Sequence, residues 1–493
     1  MLPFLLNKNN VSSLICLSIV SVLISCNSSQ KSKNTTTETS LAAAPPLFTM
    51  EQFISGNNIF RFTVEPPLSL NFKKPALQAC ATATYNDKWI FIGGRKGGFH
   101  GLDNAPPPFR TVVANDSIWV IDPIHMTSTG VQVPAVYAKY LSATNMQSYQ
   151  VGDFLYLCGG FTISDSSVQN FNWTSDRFFE INIPNLLSYV NNGGSAPSLN
   201  QVFTKVIQSP YVQVTGGEML VINNNYYLVG GQNYSGFYTS GNTGAYTNAI
   251  RKFNVTNVAG TWSITDTLSV IDAVNLHRRD LNVVPVIAYG PDSIRAMIYG
   301  GVFTPNGLGY RNPVYISGLI NGTPSISVDT MQQKVNQYDC ARAKLAYKGT
   351  GLEFNITALL GGIALMQYDS VTQQLVTGDS GIPMPFSKII SWMFTDGNEV
   401  CLEFIQLPPN DPFMPGYIGS DAFFKPLPQY IMDGTLDIID IAKVFPGEGR
   451  ILIGYMYGGI VSPQASTFSM NKSISTNANS LIYSVYIEIP PSK

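Results

Sequence analysis

The chain has 493 residues, of which 29 are Lys or Arg and 31 are Asp or Glu, so its formal net charge is −2. Such a balance creates no overall positive field to attract nucleic acid or an anionic membrane surface, and nucleic-acid binding is excluded on this ground. Hydrophobic residues make up 45% of the chain and charged residues 12%, which predicts a large core beneath a mostly uncharged polar surface.

The first 25 residues have the pattern of an export signal. Lys8 supplies a positive charge, and residues 11–24 form an apolar stretch that is too short to span a bilayer. Residues 23–26 (Leu-Ile-Ser-Cys) resemble a bacterial lipobox, which implies cleavage before Cys26 and lipidation of that cysteine. An ordinary signal peptide with an incidental cysteine is the alternative. We therefore expect an exported, membrane-anchored lipoprotein, on the periplasmic or cell-surface side of a bacterial outer membrane.

A polar segment follows the lipobox. Residues 27–46 are rich in Ser, Thr, Asn and Lys and end in a double proline, a composition that cannot bury enough apolar surface to fold. We interpret residues 26–50 as a flexible tether from lipidated Cys26. The folded domain is expected over residues 55–490.

One short pattern recurs through this domain: an apolar run that ends in Gly-Gly. The copies are WIFIGG, LYLCGG, YYLVGG, AMIYGG, TALLGG and GYMYGG, with their first glycines at 93, 159, 230, 300, 361 and 458. Four of the five intervals lie between 61 and 71 residues and the last is 97, which indicates an array of one repeated unit. Strand signals before and after each copy predict a four-stranded antiparallel sheet per unit, with strands a, b, c and d in chain order and Gly-Gly ending strand b.

The first unit carries IFIGG and then NDSIWVIDP, and in these motifs the chain resembles the kelch-repeat family. The resemblance implies an all-β, six-bladed β-propeller whose blades pack radially, with seven blades as the runner-up. Residues 58–64 are predicted to complete the sixth blade as its strand d, closing the ring. The long final interval is interpreted as an insertion around residues 410–430.

Four cysteines remain after the signal and Cys26 are set aside: Cys80, Cys158, Cys340 and Cys401. In a four-stranded blade, Cys340 on strand a and Cys401 on strand d are about 14 Å apart, beyond the ~7 Å limit for a disulfide. All four are predicted to be buried free thiols.

The longest connections join strand b to strand c, and all of these loops emerge on one face. They are rich in Tyr, Phe, Ser, Gly and Asn, which suits a recognition surface, although they could simply shield the domain. Basic residues recur 19–22 positions before the first glycine of a pair: Lys73, Lys74, Lys139, Arg278, Arg279 and Arg342. The kelch resemblance implies that such residues form a basic rim around a channel, suited to carboxylates, unless Asp280 and Asp339 neutralise them. The candidate ligand-binding residues are Lys139, Arg278, Arg279, Arg342, Phe99, Trp173 and Tyr238.

Three functions remain open. The leading interpretation is a monomeric, lipid-anchored recognition protein for a glycan, a peptide or a protein partner, in which an acidic small molecule is one possible ligand. A sialic-acid epimerase of the kelch type and a non-catalytic envelope scaffold are the alternatives, and no position matches the catalytic Glu of that epimerase. A copper oxidase of the kelch type is disfavoured because His100, His125 and His277 form no clustered pair. No catalytic residue, metal or cofactor is predicted.

Overall fold

The computed structural model describes residues 48–55, 59–100, 109–163, 171–238, 244–288, 290, 293–349, 351–377, 385–398, 400–435, 437–445, 449–465 and 476–489. The predicted signal, the lipidation of Cys26 and most of the tether lie outside these residues. The described residues belong to one compact unit, Pro46–Lys493. This unit begins earlier than residue 55, because Phe48 is buried and a helix begins at Met50.

The fold is all-β, as predicted, with 50% of residues in strands and 10% in helices. In chain order the strands are β1 (Arg61–Val64), β2 (Ala81–Tyr85), β3 (Lys88–Ile92), β4 (Ser117–Asp122), β5 (Thr127–Gln132), β6 (Gln147–Val151), β7 (Phe154–Cys158), β8 (Phe161–Ile163), β9 (Phe171–Thr174), β10 (Arg177–Asn182), β11 (Phe203–Gln208), β12 (Glu218–Ile222), β13 (Asn225–Val229), β14 (Gln232–Asn233), β15 (Ser235–Phe237), β16 (Ala245–Tyr246), β17 (Ala249–Val258), β18 (Thr261–Ile271), β19 (Asn282–Ile287), β20 (Ile294–Tyr299), β21 (Val314–Ser317), β22 (Ser325–Val328), β23 (Ala341–Gly349), β24 (Leu352–Leu360), β25 (Met366–Asp369), β26 (Gln374–Thr377), β27 (Ile390–Thr395), β28 (Cys401–Gln406), β29 (Ala422–Pro426), β30 (Ile438–Asp440), β31 (Gly449–Gly458), β32 (Ile460–Val461), β33 (Asn477–Ala478) and β34 (Ile482–Ile489). The helices are α1 (Met50–Ile54), α2 (Ala138–Leu141), α3 (Ile183–Asn191), α4 (Leu199–Val202) and α5 (Ile441–Val444), and 3₁₀ turns occupy Thr111–Val113, Ala135–Tyr137, Pro210–Val212 and Pro428–Tyr430.

Each repeat forms one sheet with four antiparallel strands, which confirms the predicted unit. Sheet I has the order β2-β3-β4-β5, sheet II β6-β7-β10-β11, sheet III β12-β13-β17-β18 and sheet IV β19-β20-β21-β22. Sheet V has β23-β24-β27-β28, with β30 added in parallel beside β23, and sheet VI has β29-β31-β34-β1. The long b-to-c connections contain the smaller sheets β8-β9-β15, β14-β16, β25-β26 and β32-β33.

The Gly-Gly pairs end the second strand of every sheet, as predicted, and their conformation explains the choice of residue. Gly159 has φ +64°, and a Cβ there would lie 2.0 Å from the Val214 carbonyl oxygen. The next residue, Gly160, has φ +86° and donates its N–H to that same carbonyl at 2.9 Å. Only glycine combines this backbone with so close an approach of the neighbouring sheet.

The predicted N-terminal strand is found in the last sheet. β1 pairs antiparallel with β34, and Phe60, Phe62 and Val64 are buried in the core. The side-chain amide of Gln406 holds this strand from sheet V: its Oε1 accepts from the Phe62 N–H at 2.6 Å, and its Nε2 donates to the Phe62 carbonyl at 2.7 Å. Asn58, the first residue of the predicted strand, lies outside the described residues.

The predicted insertion at residues 410–430 is corrected in part. Ala422–Pro426 forms β29, the first strand of sheet VI, and pairs with β31. The additional chain lies on both sides of β29. The part that follows it contains β30 and α5, and β30 pairs with β23 at one edge of sheet V.

Backbone hydrogen bonds also connect the starts of the sheets. Asn145 donates to the Ala79 carbonyl, Gly216 to Asn145, Asp280 to Gly216, Asp339 to Asp280 and Asp421 to Asp339, over distances of 2.7–3.4 Å. Each of these six residues has a positive φ, between 48° and 65°. Each also precedes the first strand of its sheet by one or two residues, so together they mark one structural level that is shared by all six sheets.

The four cysteines are free thiols, as predicted. Cys158, Cys340 and Cys401 are buried, as predicted, whereas Cys80 is half-buried. Burial raises the pKa of all four thiols, which keeps them protonated and unreactive at neutral pH.

Candidate functional site

A cavity of 1150 Å³ is lined by residues from the first strands of all six sheets. Its lining extends from the shared level of Asp280, Asp339 and Asp421 to turns between first and second strands, such as Gly152 and Asn223. The b-to-c loop residues Phe99, Trp173 and Tyr238 do not line it. This cavity therefore lies among the first strands of the sheets, apart from the loop residues that the sequence favoured.

Four cations of the described residues line this cavity, and three of them have carboxylate partners. Arg342 Nη1 lies 2.5 Å from Glu218 Oε1, Lys344 is paired with Asp437, and Lys348 Nζ lies 3.7 Å from Glu353 Oε1. The fourth is Lys425, whose Nζ donates to Thr84 Oγ1 at 3.1 Å. Within the part of the chain that the structure describes, no carboxylate lies within ion-pair distance of Lys425.

Three aspartates form one end of the cavity lining. The Asp339 and Asp421 side chains are hydrogen-bonded to each other, and Ser420 Oγ donates to Asp339 Oδ2 at 3.3 Å. Two carboxyl groups in contact must share a proton. Burial, together with the charges of Asp421 and Asp280, raises the pKa of Asp339 well above its usual range, and burial raises the pKa of Asp421 to about 6. Asp339 therefore carries the proton and donates a hydrogen bond to the Asp421 carboxylate.

Two guanidinium groups lie near these aspartates, outside the cavity lining. Arg279 Nε lies 3.7 Å from Asp280 Oδ2, and the guanidinium donates a hydrogen bond to the Tyr238 hydroxyl. Arg95 is buried with its guanidinium 4.5 Å from the centre of the Phe109 ring. Arg279 and Tyr238, both candidate ligand-binding residues, thus lie together in a packed cluster.

Aromatic rings cover this cluster. Tyr238 is 8% exposed and packs against His100 and Phe109, with ring centres 4.8 and 5.0 Å apart. Phe99 stacks on His100 at 4.8 Å and meets Phe386 edge-on. Phe99 and Tyr238 therefore belong to one group of packed rings, in which Tyr238 offers little free surface to a ligand.

The remaining predicted site residues lie elsewhere. Arg278 is fully buried, and its guanidinium donates to the carbonyl oxygens of Asn275, Gly300 and Asn312 at 2.7–3.1 Å. Lys139 is exposed in α2, with its Nζ 5.0 Å from the Tyr140 ring centre, and Trp173 meets the same ring edge-on. Arg278 therefore supports a loop, Lys139 lies against Tyr140, and neither residue lines the cavity.

Counting residues back from each Gly-Gly pair does not identify equivalent positions in the six sheets. The residues at the shared level precede the first glycine by 14 positions in sheets I to III but by 20, 22 and 37 in sheets IV to VI, because the first two strands and the connection between them differ in length. Counted from this level, Arg279 comes one residue before it and Arg342 three residues after it. The recurring Asn, Gly and Asp, which tolerate a positive φ, were the available signal for this level and for the aspartate cluster.

Within the described residues, no group of three or more His, Cys, Asp or Glu side chains could hold a metal ion. Their helices are all too short or too polar to cross a membrane. No family model matches the chain, and no curated protein is significantly similar to it in sequence.

Proposed function

We propose that this protein is an exported, lipid-anchored binding protein whose central cavity takes a small polar ligand of the sugar class. The observation that carries the proposal is the cavity of 1150 Å³ lined by all six sheets. Ligand pockets are typically ~300–1,000 Å³, so this space accommodates a mono- or oligosaccharide with water around it. A folded protein partner could not enter it.

The chemistry of the lining supports a hydroxylated ligand. Thr82, Ser148 and Asn145 present small hydroxyl and amide groups, and the three aspartates add both hydrogen-bond donors and acceptors. Such groups can match the alternating donors and acceptors of sugar hydroxyls. The cavity therefore favours a glycan over the peptide and protein partners that the sequence also allowed.

We further propose that the six sheets are the blades of a closed, kelch-like propeller. Support comes from the backbone bonds that link successive sheets at the shared level. Gly459 of sheet VI also donates its N–H at 2.8 Å to the carbonyl of Leu77, just ahead of sheet I. The pairing of β1 with β34 supplies the fourth strand of the last sheet from the opposite end of the domain.

The binding proposal is tested by filling the cavity. A chain beginning at residue 46 is screened on a glycan array, and the best sugar is titrated by calorimetry. Ser148→Trp should abolish binding while the melting temperature stays within a few degrees. Ser195→Trp, on an exposed loop, should bind normally and serves as the matched control. Unchanged affinity in the Ser148 variant would reject the cavity as the site.

The lipid anchor is tested separately on the full chain. A radiolabelled fatty acid should be incorporated into the wild-type protein, and Cys26→Ala should remove the label and release the protein from membranes. Equal labelling of both proteins would contradict lipidation at Cys26.

A second candidate, an epimerase-type enzyme, is favoured by one observation. Glu218 provides a carboxylate inside the cavity beside Arg342, so an acid–base group faces the ligand space. A sialic-acid epimerisation assay tests this candidate. Turnover that is lost in Glu218→Gln but retained in Ser195→Trp would replace the binding role with catalysis, and absence of turnover leaves the binding role.

A further inference from the structure

We infer that Lys425, together with the hydroxyl of Thr84, is a subsite for the carboxylate of an acidic sugar. The inference rests on the proposed function, because it assigns a ligand class to the same cavity. It differs from the basic rim expected from the sequence, which did not include Lys425.

Charge pairing within the cavity distinguishes Lys425 from the other cations. Glu218 neutralises Arg342, Asp437 neutralises Lys344, and Lys348 has Glu353 at 3.7 Å. A ligand carboxylate would have to displace one of these partners to bind there. At Lys425 it displaces no carboxylate of the described residues, since the hydrogen-bond partner there is the neutral Thr84 hydroxyl at 3.1 Å.

The position of Lys425 fits a binding role. It lies on β29, the first strand of sheet VI, and reaches Thr84 on β2, so its Nζ sits where two sheets face the cavity. Asp437 and Asp87 act on it electrostatically, yet burial outweighs both and lowers the pKa of the Lys425 ammonium. An ammonium that has lost much of its hydration gains more from a bound anion than an exposed one does.

A carboxylate matches the donors that are present. The Lys425 ammonium has three N–H donors and spends one on Thr84, while the Thr84 hydroxyl proton remains available to an acceptor. The two oxygens of one carboxylate can accept from both groups, and such charge-assisted bonds are about twice as strong as neutral ones. The hydroxyl groups of the same sugar can then reach the neutral lining at Thr82 and Ser148.

The first experiment compares matched sugars by calorimetry, using oligosaccharides that end in glucuronate or galacturonate and their glucose and galactose counterparts. Wild-type protein should prefer the acidic members by about tenfold or more, the effect of one hydrogen bond to a charged group. Lys425→Met should remove that preference, Lys425→Arg should restore most of it, and Lys96→Met, at an exposed lysine outside the cavity lining, should keep it as the matched control. A preference that persists in Lys425→Met overturns the inference.

A second experiment follows the NMR signal of Lys425 itself. The lysines are ¹³C-methylated, and their NMR signals are followed during titration with glucuronate and with glucose. The Lys425 signal, identified by its loss in Lys425→Arg, should shift with glucuronate alone, while the signal of Lys96, outside the cavity lining, stays in place. An unshifted Lys425 signal at saturating glucuronate overturns the anion subsite.

The two experiments separate the two proposals. If neutral and acidic sugars bind equally in the cavity, the proposed function stands and the subsite fails. If no oligosaccharide of either panel binds but the Lys425 signal shifts with free glucuronate, the anion subsite stands and oligosaccharide binding in the cavity fails.

Discussion

Arg342 Nη1 and Glu218 Oε1 lie 2.5 Å apart, although the two residues belong to sheets V and III. Sheet IV lies between these sheets along the chain, so the pair connects two walls of the cavity that are not consecutive. Both side chains are about one-quarter exposed, which means that the charges are only partly desolvated. The ion pair therefore acts as a tether between sheets III and V.

A double-mutant cycle should reveal this tether. We expect Arg342→Met and Glu218→Gln each to lower the free energy of unfolding by about 1–2 kcal/mol, because each leaves a partly buried charge without its partner. The double variant should lose about 1 kcal/mol less than the sum of the two single losses. Urea unfolding of the four proteins measures the coupling, and strict additivity would show that the contact contributes nothing.

Two glycines with nearly the same backbone separate conformational cost from steric cost. Gly152 has φ +53° and open space where a Cβ would lie, whereas Gly159 has φ +64° and a carbonyl oxygen 2.0 Å from the corresponding position. Gly152→Ala should cost about 1 kcal/mol, since only the left-handed backbone is penalised. Gly159→Ala should cost about 3 kcal/mol or more, because sheet II must also move away from Val214. Equal losses of unfolding free energy in chemical denaturation would contradict the steric role of the Gly-Gly pair.

The sequence predicted the sheets better than the site, and Gly159 shows why. The need for a glycine at the end of a buried strand is local, so it recurs visibly in every repeat. The partners of Arg342 and Lys425 depend instead on which residues of different sheets face the cavity. That alignment changes with hairpin length: β23 and β24 each have 9 residues, whereas β2 and β3 each have 5. Counting from Gly-Gly placed Arg278 and Arg342 at one level, although Arg278 precedes the aspartate of its sheet and Arg342 follows the aspartate of its own.

Arg278 should behave as a structural residue. Its guanidinium supplies donors to three backbone carbonyls in a fully buried position. Arg278→Met should lower the free energy of unfolding by about 3 kcal/mol or more, because those carbonyls lose their partners. Lys139→Ala, at an exposed position, should change stability by less than about 0.5 kcal/mol. Thermal and urea unfolding provide the comparison, and a stable Arg278 variant would return this residue to the list of ligand-binding candidates.

The N-terminal strand should be essential to the domain. Deletion of residues 59–67 removes β1, the buried Phe60 and Phe62, and the backbone groups that Gln406 holds. Loss of two buried aromatic side chains alone costs about 6 kcal/mol, comparable to the whole stability of a typical domain. The deleted protein should fail to show a cooperative melting transition, in contrast to the chain that begins at residue 46. A transition at the same temperature would exclude the strand from the stabilising structure.

The hydrogen-bonded pair Asp339 and Asp421 should make stability depend on pH. The pKa of Asp421 in the folded protein is about 6, above the ordinary value of ~3.9, so the folded state binds more protons than the unfolded state between these values. Its stabilising contribution is complete below pH ~4 and is lost as the pH rises through 6. A shift of about two units corresponds to at most about 3 kcal/mol. Asp421→Asn keeps a residue that tolerates the φ of +53° and cannot ionise.

The Asp421 variant should therefore gain stability relative to wild type as the pH rises. Urea unfolding at about pH 4.5, 6.0 and 7.5 should show little advantage at the lowest pH and an advantage of roughly 2 kcal/mol at the highest. Asp153→Asn, in an exposed turn, should show a constant difference from wild type at all three values. A constant difference for Asp421→Asn as well would mean that this carboxyl titrates normally. Asp421 would then be an ordinary, ionised carboxylate at all three pH values, and its burial would not change its affinity for protons.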